Sequence, residues 1–158
     1  MTQQLGEDKH THDISLSREI YTCDWKEMGL ADFVADPENG RLGNTGVGLT
    51  QQQIIDKIRK DKDTKTLKMS IIQSGGLSEP PYVKPLDDGK YLIREGNQRW
   101  VAQQWICEDI EAGKAGTDGL ELSKFEKMGV FVYPEDMPDS AQHLHVGRLH
   151  IQKKRSWG

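Results

Sequence analysis

The chain has 158 residues, of which 35% are hydrophobic and 29% are charged, and its formal net charge is -4. This length predicts one domain with a real core, and the acidic charge excludes a basic field over the whole surface that would attract duplex DNA. No apolar stretch approaches the roughly 20 residues that span a bilayer, and the N-terminus lacks the apolar core of a secretion signal, so we expect a cytoplasmic protein without membrane contact.

The first half of the chain alternates strand, loop and helix signals. Residues 1–15 are polar and predict a disordered tail, whereas EIYTCDW after them alternates as a strand does. The segment DPENGRLGNTGVG is rich in Pro, Asn and Gly, which predicts a long loop of the kind that is often functional. Thr50 suits the N-cap of a helix marked by Ile54 and Ile58, and LKMSIIQS predicts a second helix that ends at Gly75-Gly76.

The middle of the chain predicts a β-hairpin. Two apolar runs flank Asp88-Gly89, and Asp-Gly accepts the positive dihedral angles of a tight turn. Pro81 and Pro85 confine the first of these strands to a sheet edge or to irregular pairing, because proline cannot donate a backbone hydrogen bond.

The last third predicts a helix from Asn97 to about Ile110, a short buried strand at VFVY, and a further helix near Asp139. Together the elements predict an α+β fold with a small mixed sheet and flanking helices. We expect a domain over residues 16–136, followed by a C-terminal helix and basic segment over residues 137–158.

Neither the cysteines nor the histidines predict a metal site. Cys23 and Cys107 lie far apart and outside any CxxC arrangement, so neither a zinc ribbon nor a disulfide framework is indicated. His143, His145 and His150 are close in sequence, but residues two apart on a helix point away from each other.

The stretch EGNQRWVAQQ, residues 95–104, combines a glycine, two amides and an arginine where a strand passes into a helix. The first N–H groups of such a helix have no internal partner and favour phosphate. Gly96 removes a side chain that would hold a ligand away, and Arg99 offers two hydrogen bonds to a phosphoryl group. Asn97 is expected to cap the helix, and Gln98 to reach the ligand or its metal. Helix capping and a solvated arginine explain the same residues, so the pattern alone leaves both interpretations open.

The order of these elements resembles the ParB/sulfiredoxin-like superfamily. In that pattern an SI...G helix leads to a proline-bearing strand, an Asp-Gly hairpin and G-x-x-R-(W/Y)-x-A at a helix start. The upstream segment DPENGR resembles the family's Asn-Pro-x-x-Arg loop through Asn39 and Arg41. The other matching residues are Ser70, Ile71, Gly76, Pro81, Val83, Asp88, Gly89, Tyr91, Gly96, Arg99, Trp100 and Ala102.

The resemblance implies a domain that binds CTP or ATP with Mg²⁺ at the G-x-x-R helix start. It implies control of DNA binding or of self-association in DNA partition or regulation, in a phage, plasmid or mobile-element protein. Its partners would be the nucleotide, DNA through a region beyond this chain, and a second copy as a homodimer. The residues implied in nucleotide or phosphate binding are Gly96, Asn97, Gln98, Arg99, Gly76 and Arg41, and those in DNA contact are Lys153, Lys154 and Arg155.

Because of departures from the family pattern, several interpretations of the catalytic activity remain. Partition proteins usually carry Glu-Arg where this chain has Asn97 and Gln98, so one charge of each sign is lost. Glu95 is the candidate catalytic residue, orienting magnesium or acting as a base, and the activity would then be a slow, CTPase-like nucleoside triphosphatase. The alternatives are another enzyme of the superfamily, namely a nuclease or an ATP-dependent small-molecule kinase, and a degenerate, non-hydrolysing interaction module.

Overall fold

The computed structural model describes residues 10–38, 48–76 and 79–157, with side chains as far as residue 152. Its mixed sheet and flanking helices confirm the predicted α+β fold class. No helix in these ranges is long and apolar enough to cross a membrane. The elements are β1 (Thr11–Leu16), β2 (Glu19–Gly29), β3 (Phe33–Ala35), α1 (Gln51–Lys60), α2 (Lys62–Gln73), β4 (Tyr82–Pro85), β5 (Tyr91–Glu95), α3 (Asn97–Glu111), β6 (Lys127–Val132) and α4 (Asp139–Trp157).

The six strands form one sheet in the order β1-β2-β6-β4-β5-β3. The pairs β1/β2, β2/β6 and β4/β5 are antiparallel, whereas β3/β5 and β4/β6 are parallel. The parallel pairing of β3 with β5 brings the carboxyl ends of these two strands to the same edge of the sheet. The start of α3 lies at that edge, beside the beginning of the loop that follows β3.

The sheet separates two buried layers, because successive residues of a strand point to opposite faces. In β4, Val83 belongs to the layer under α1 and α3, and Tyr82 packs in the layer under α4. The first layer contains Phe33, Ala35, Ile54, Ile58, Val83, Ile93, Trp100, Val101, Met128, Val130 and Val132. The second contains Ile14, Leu16, Cys23, Tyr133 and Met137.

Local signals set the helix boundaries as predicted. Thr50 is the N-cap of α1, where its side chain accepts a hydrogen bond from the backbone N–H of Gln53 in a capping box. At the end of α2, Gly75 adopts a positive φ of 72°, and the N–H of Gly76 returns to the carbonyl of Ile71 at 2.9 Å. This six-to-one hydrogen bond is typical of a Schellman helix ending.

The predicted disordered tail is wrong for residues 11–15. They form most of β1, which pairs with β2 from Thr11 opposite Asp24 to Leu16 opposite Glu19. Ile14 and Leu16 are buried, so two apolar residues in a polar context suffice when a partner strand lies alongside. Residues 1–9 lie outside the described ranges.

The hairpin prediction is confirmed, but β4 is an internal strand, not an edge strand. It lies between β6 and β5, and its pairing is irregular, with a register shift between Tyr82 and Val83. Pro81 precedes the strand and contributes only its carbonyl, which accepts from the N–H of Phe131 at 2.9 Å. Pro85 ends the strand. The two prolines therefore bound an internal strand instead of excluding one.

Candidate functional site

Gly96 joins β5 to α3 and has a backbone conformation that favours glycine. It is the N-cap of α3, with φ 108° and ψ 19°, and as a glycine it has no side chain that could cap the helix. A Cβ atom here would lie 2.5 Å from Cβ of Pro81. The expectation that Gly96 opens space for a ligand is therefore corrected, because the space beside it is filled by Pro81.

Asn97 is buried and links two segments of the chain. It does not cap the helix, so the predicted capping role is wrong. It is the first helical residue and is 3% exposed. Its Oδ1 accepts from the N–H of Asp36 at 3.2 Å, and its Nδ2 donates to the carbonyl of Ile93 at 3.0 Å. Asn97 thus fixes the beginning of the loop after β3 against the end of β5.

Arg99 is buried and does not present its guanidinium to solvent, which corrects a second expectation. Its Nε donates to Oε1 of Gln103 at 2.9 Å, and its two terminal nitrogens donate to the carbonyls of Glu79 at 2.7 Å and Gly76 at 3.3 Å. All three acceptors are neutral. Burial lowers the pKa of Arg99 to about 10. Arg99 and Gly76 are brought together, but by a contact that ties the end of α2 to α3.

Gln103 completes this arrangement and was missed by the sequence reasoning. It is 1% exposed, and its Nε2 donates to the carbonyls of Phe125 and Lys127 while its Oε1 accepts from Arg99. A polar residue one helical turn after Arg99 was the available signal, since side chains at i and i+4 share a helix face.

Gln98 differs from Asn97 and Arg99, because its side-chain donor is left without a hydrogen bond among the described residues. It is partly exposed, and its buried Nε2 has no hydrogen-bond partner in the part of the chain that the structure describes. An amide donor in this state is costly unless a ligand, water or further segment accepts from it.

Arg94 forms a second buried arginine centre on the α4 side of the sheet, which the sequence reasoning did not identify. Its guanidinium donates to Oδ2 of Asp36 at 3.0 Å, to Oε1 of Gln142 at 3.0 Å and to Oδ1 of Asp139 at 3.1 Å. A cavity of about 440 Å³ opens beside it, and Asp36, Glu38, Arg94 and Asp139 are among the residues that line it.

Glu95, the candidate catalytic residue, lies against α4. Its Oε2 is 2.8 Å from Nε2 of His150, and its side chain is 14% exposed. Tyr82 and Val83 pair with Glu95 and Ile93, so Arg94 is an extra residue in β5. Such a bulge changes the alternation of side chains, and Arg94 and Glu95 both contact residues of α4. The carboxylate is thus held by an imidazole, and its catalytic role stays a prediction.

The three histidines of α4 have separate partners. His143 lies 3.8 Å from Glu38, His150 contacts Glu95, and Nδ1 of His145 is 2.8 Å from the hydroxyl of Tyr133. Burial lowers the pKa of His145 to about 4, so it is neutral at ordinary pH. In residues 10–38, 48–76 and 79–157 no group of three or more His, Cys, Asp or Glu side chains converges as metal ligands do.

The remaining predicted site residues lie outside what the structure describes. Arg41 falls in the undescribed range 39–47. The helix α4 includes Lys153, Lys154 and Arg155, but only their backbone is described.

The carboxylates near α3 do not fit a protein-only magnesium site. Asp36 is paired with Arg94, and Glu95 contacts His150. Mg²⁺ usually keeps several waters and takes one or two carboxylates together with substrate phosphates. These residues could therefore hold Mg²⁺ only together with the phosphates of a bound nucleotide.

A comparison with solved structures finds a similarity to the C-terminally truncated chromosome-partitioning protein ParB from Caulobacter crescentus, complexed with CTP-gamma-S. The TM-score is 0.49 at 20% sequence identity, and the match covers 81% of this chain and 53% of that chain. The chain thus spans about half the length of the structure it matches. No family model matches the sequence, and no curated protein matches it.

Proposed function

We propose that this chain is a ParB-like domain that binds a nucleoside triphosphate, CTP or ATP, with its Mg²⁺ at the start of α3. Binding there would control DNA engagement or self-association in DNA partition or regulation, in a phage, plasmid or mobile-element protein of the cytoplasm. DNA would be contacted by a region beyond this chain, with Lys153, Lys154 and Arg155 at the junction. The motif order in the sequence supports this family of functions.

The observation that carries the proposal is the set of neutral partners around the guanidinium of Arg99. Its guanidinium is buried, and among the described residues its hydrogen-bond acceptors are two backbone carbonyls and one amide oxygen. A buried charge is costly unless an opposite charge compensates it. A bound phosphate would supply that negative charge without replacing any of the three contacts.

The N-terminus of α3 adds a second source of positive potential. Its N-cap Gly96 has no side chain to accept from the first N–H groups of the helix, which carry the positive end of the helix dipole. Gln98 lies in the same turn with an unpartnered Nε2 in the described part of the chain. Anions bind favourably where such donors and a nearby cation coincide.

Within this site the buried side chains would position two loops, and Gln98 would meet the ligand. Arg99 and Gly76 fix the segment after α2, and Asn97 fixes the segment after β3 through the N–H of Asp36. Arg41, a predicted contact to the nucleotide, lies outside the described residues. We propose that it contacts the phosphates, with Glu95 beside the metal once Glu95 leaves His150.

Charge variants of Gln98 test the proposal without disturbing the buried contacts. Isothermal titration of CTP, ATP and GTP with Mg²⁺ should give the highest affinity for one nucleotide with the unmodified chain. Gln98→Arg should tighten that binding about tenfold, and Gln98→Glu should weaken it about tenfold, because each places one charge beside the phosphates. A glutamate in the first turn also favours the helix dipole, so lost binding would not reflect an unfolded helix.

Gln52 provides the matched control, since it occupies the same second position of α1 and is exposed. Gln52→Arg and Gln52→Glu change the net charge identically and should leave nucleotide affinity unchanged. Equal responses at the two positions, or no binding of any nucleotide, would overturn nucleotide binding and favour an interaction module. Release of phosphate that Glu95→Gln abolishes would add the triphosphatase activity, and transfer of phosphate to a small molecule would indicate the kinase.

A further inference from the structure

The junction of α1 and α2 concentrates positive charge in a chain that is acidic as a whole. Residues 57–68 contain six lysine or arginine side chains and two aspartates, whereas the net charge of the chain is -4. Both aspartates serve the start of α2, where Asp61 is the N-cap and Asp63 lies in the first turn. Lys62 lies in the same first turn, where the helix dipole disfavours a cation. The stability of the helix therefore does not explain why this lysine is there.

Two of the six cations are used inside the domain. Arg59 forms an ion pair with Glu108, and Nζ of Lys68 lies 2.6 Å from Oδ2 of Asp109. Both cations also lie over the ring of Trp105, at 5.1 and 4.1 Å from its centroid. Arg59 and Lys68 thus hold α1 and α2 against α3, and they are not offered to a partner.

The outer face of α2 presents two further lysines and an apolar side chain. Lys62, Lys65 and Met69 stand at i, i+3 and i+7, which places them on one face of the helix. Thr64 and Ile71, the buried residues of α2, lie on the opposite face, which packs on the domain. Both lysines are exposed, and Met69 is 54% exposed. This face, defined by Lys62, Lys65 and Met69, is called the basic face of α2.

The charge of the basic face is not balanced within the described ranges 10–38, 48–76 and 79–152. Lys62 and Lys65 form no ion pair there, and the same holds for Lys60, which is exposed at the end of α1 beside the face. Three neighbouring lysines without carboxylate partners create a local positive potential that attracts an anionic partner.

The chemistry of the basic face fits an acidic protein segment better than a nucleic acid. Lysine ammonium groups are point charges that pair readily with single carboxylates. Met69 offers a flexible apolar contact that an aliphatic side chain can fill and a phosphate backbone cannot. The face also contains no arginine or aromatic ring on which a base could stack.

We infer that the basic face of α2, extended by Lys60, binds an acidic segment of a partner protein and places an aliphatic side chain of that segment on Met69. The inference goes beyond the proposed function, because the surface belongs to α1 and α2 and needs no nucleotide.

Fluorescence anisotropy with the whole chain and two labelled peptides of equal length tests the basic face. One peptide contains glutamate with leucine at every fourth position, and the other contains glutamate alone. The leucine-containing peptide should bind with a Kd below about 100 μM, and Lys62→Glu and Lys65→Glu should each raise this Kd about tenfold. A glutamate near the start of a helix favours the helix dipole, so weaker binding would not reflect an unfolded helix.

Lys90 provides the matched control for charge. It is exposed beside the hairpin turn, and Lys90→Glu makes the same change in net charge, so it should leave the Kd unchanged.

Met69→Ala tests the apolar contact. It should raise the Kd of the leucine-containing peptide about threefold and leave that of the glutamate peptide unchanged, because only the first peptide can contact Met69. Leu144→Ala removes a similarly exposed apolar side chain from α4, 52% exposed, and should change neither Kd.

Three outcomes would overturn the inference. The first is no binding of the leucine-containing peptide, and the second is equal weakening by Lys90→Glu and Lys62→Glu. The third is tighter binding of single-stranded oligothymidylate or of a DNA duplex, which would assign the basic face to nucleic acid. Equal effects of Met69→Ala on both peptides would overturn the apolar contact. No nucleoside triphosphate is present, so failure here would leave the titrations of the Gln98 variants intact, and failure of those titrations would leave the basic face intact.

Discussion

Arg94 and Arg99 are both buried and lie close together in the chain, but their charges are met in different ways. Arg94 donates to the carboxylates of Asp36 and Asp139, so its charge is compensated within the protein. Arg99 donates to neutral oxygens alone among the described residues, and burial lowers its pKa to about 10. On the α4 side of the sheet, the charge of Arg94 is thus balanced by carboxylates of the protein. On the α3 side, the charge of Arg99 has no such partner among the described residues, and a bound anion could balance it.

The largest expected effect comes from removing each arginine in turn. Arg94→Met leaves the buried carboxylate of Asp36 unpaired and should lower the free energy of unfolding by about 3–5 kcal/mol. Arg99→Met leaves neutral acceptors behind and should cost less, about 1–3 kcal/mol. Urea unfolding of the two variants gives both values. A cost for Arg99→Met equal to that of Arg94→Met would contradict the difference between the two centres.

The next effect concerns the glycine between them. Gly96→Ala combines a positive φ of 108° with a Cβ placed 2.5 Å from Pro81, so it should destabilise by about 3 kcal/mol. Gly89→Ala has a similar φ of 85° but open space, and it should cost only about 1 kcal/mol. Thermal or urea unfolding of both variants separates the cost of the contact with Pro81 from the cost of the positive φ. Equal costs would show that Pro81 moves aside.

Acidification should destabilise the α4 side of the sheet, because a proton on the buried His145 would be an uncompensated cation. The folded-state pKa of His145 is about 4 against an ordinary value of 6.5, so between these values the unfolded chain binds a proton that the folded chain does not. The contribution of His145 to stability is therefore complete above about pH 6.5, and about 2–3 kcal/mol is lost as the pH falls to about 4. His145→Gln should remove this part of the pH dependence in urea unfolding, and an unchanged slope would contradict it.

The smallest effect is expected at the exposed rim of the ion-pair network. Lys84 lies 2.9 Å from Asp139, whose pKa is lowered first by this hydrogen bond and then by the charges of Lys84 and Arg94. Lys84→Met should cost less than about 1 kcal/mol because both side chains are partly exposed. NMR titration should show the pKa of Asp139 rising but staying below its ordinary value while Arg94 remains. A pKa at the ordinary value would show that Arg94 contributes nothing there.

The sequence predicts those parts of the fold that depend on local signals. Thr50 begins α1 and Asp88-Gly89 forms the hairpin turn, because capping and turn chemistry act over a few residues. The helix α3 begins at Asn97 as predicted, but after the positive φ of Gly96 and without a side-chain cap from that residue. β1 was missed because its apolar content is small and its stability comes from pairing with β2 and packing on α4. Such tertiary contacts override local composition.

The sequence predicts where the residues of the motif lie along the fold, but not which contacts they make. Gly96, Asn97 and Arg99 do meet at the start of a helix, as the pattern indicates. Their partners, however, come from distant segments: Arg99 reaches carbonyls 20 and 23 residues upstream, and Asn97 reaches the N–H of Asp36 61 residues upstream. No short spacing encodes such contacts, so an arginine that suits a phosphate and one that ties two loops together look the same in sequence.

The place of β6 in the sheet has a consequence for how the chain acquires its structure. β6 lies between the hairpin of β1 and β2 and the unit of β4, β5 and β3, and it pairs with both neighbours. The N-terminal hairpin must therefore wait for a strand about a hundred residues away, at 127–132, before it joins the rest. Contacts of such long sequence separation slow folding. On the ribosome, the two halves of this sheet would emerge as separate pieces, and synthesis of β6 would join them.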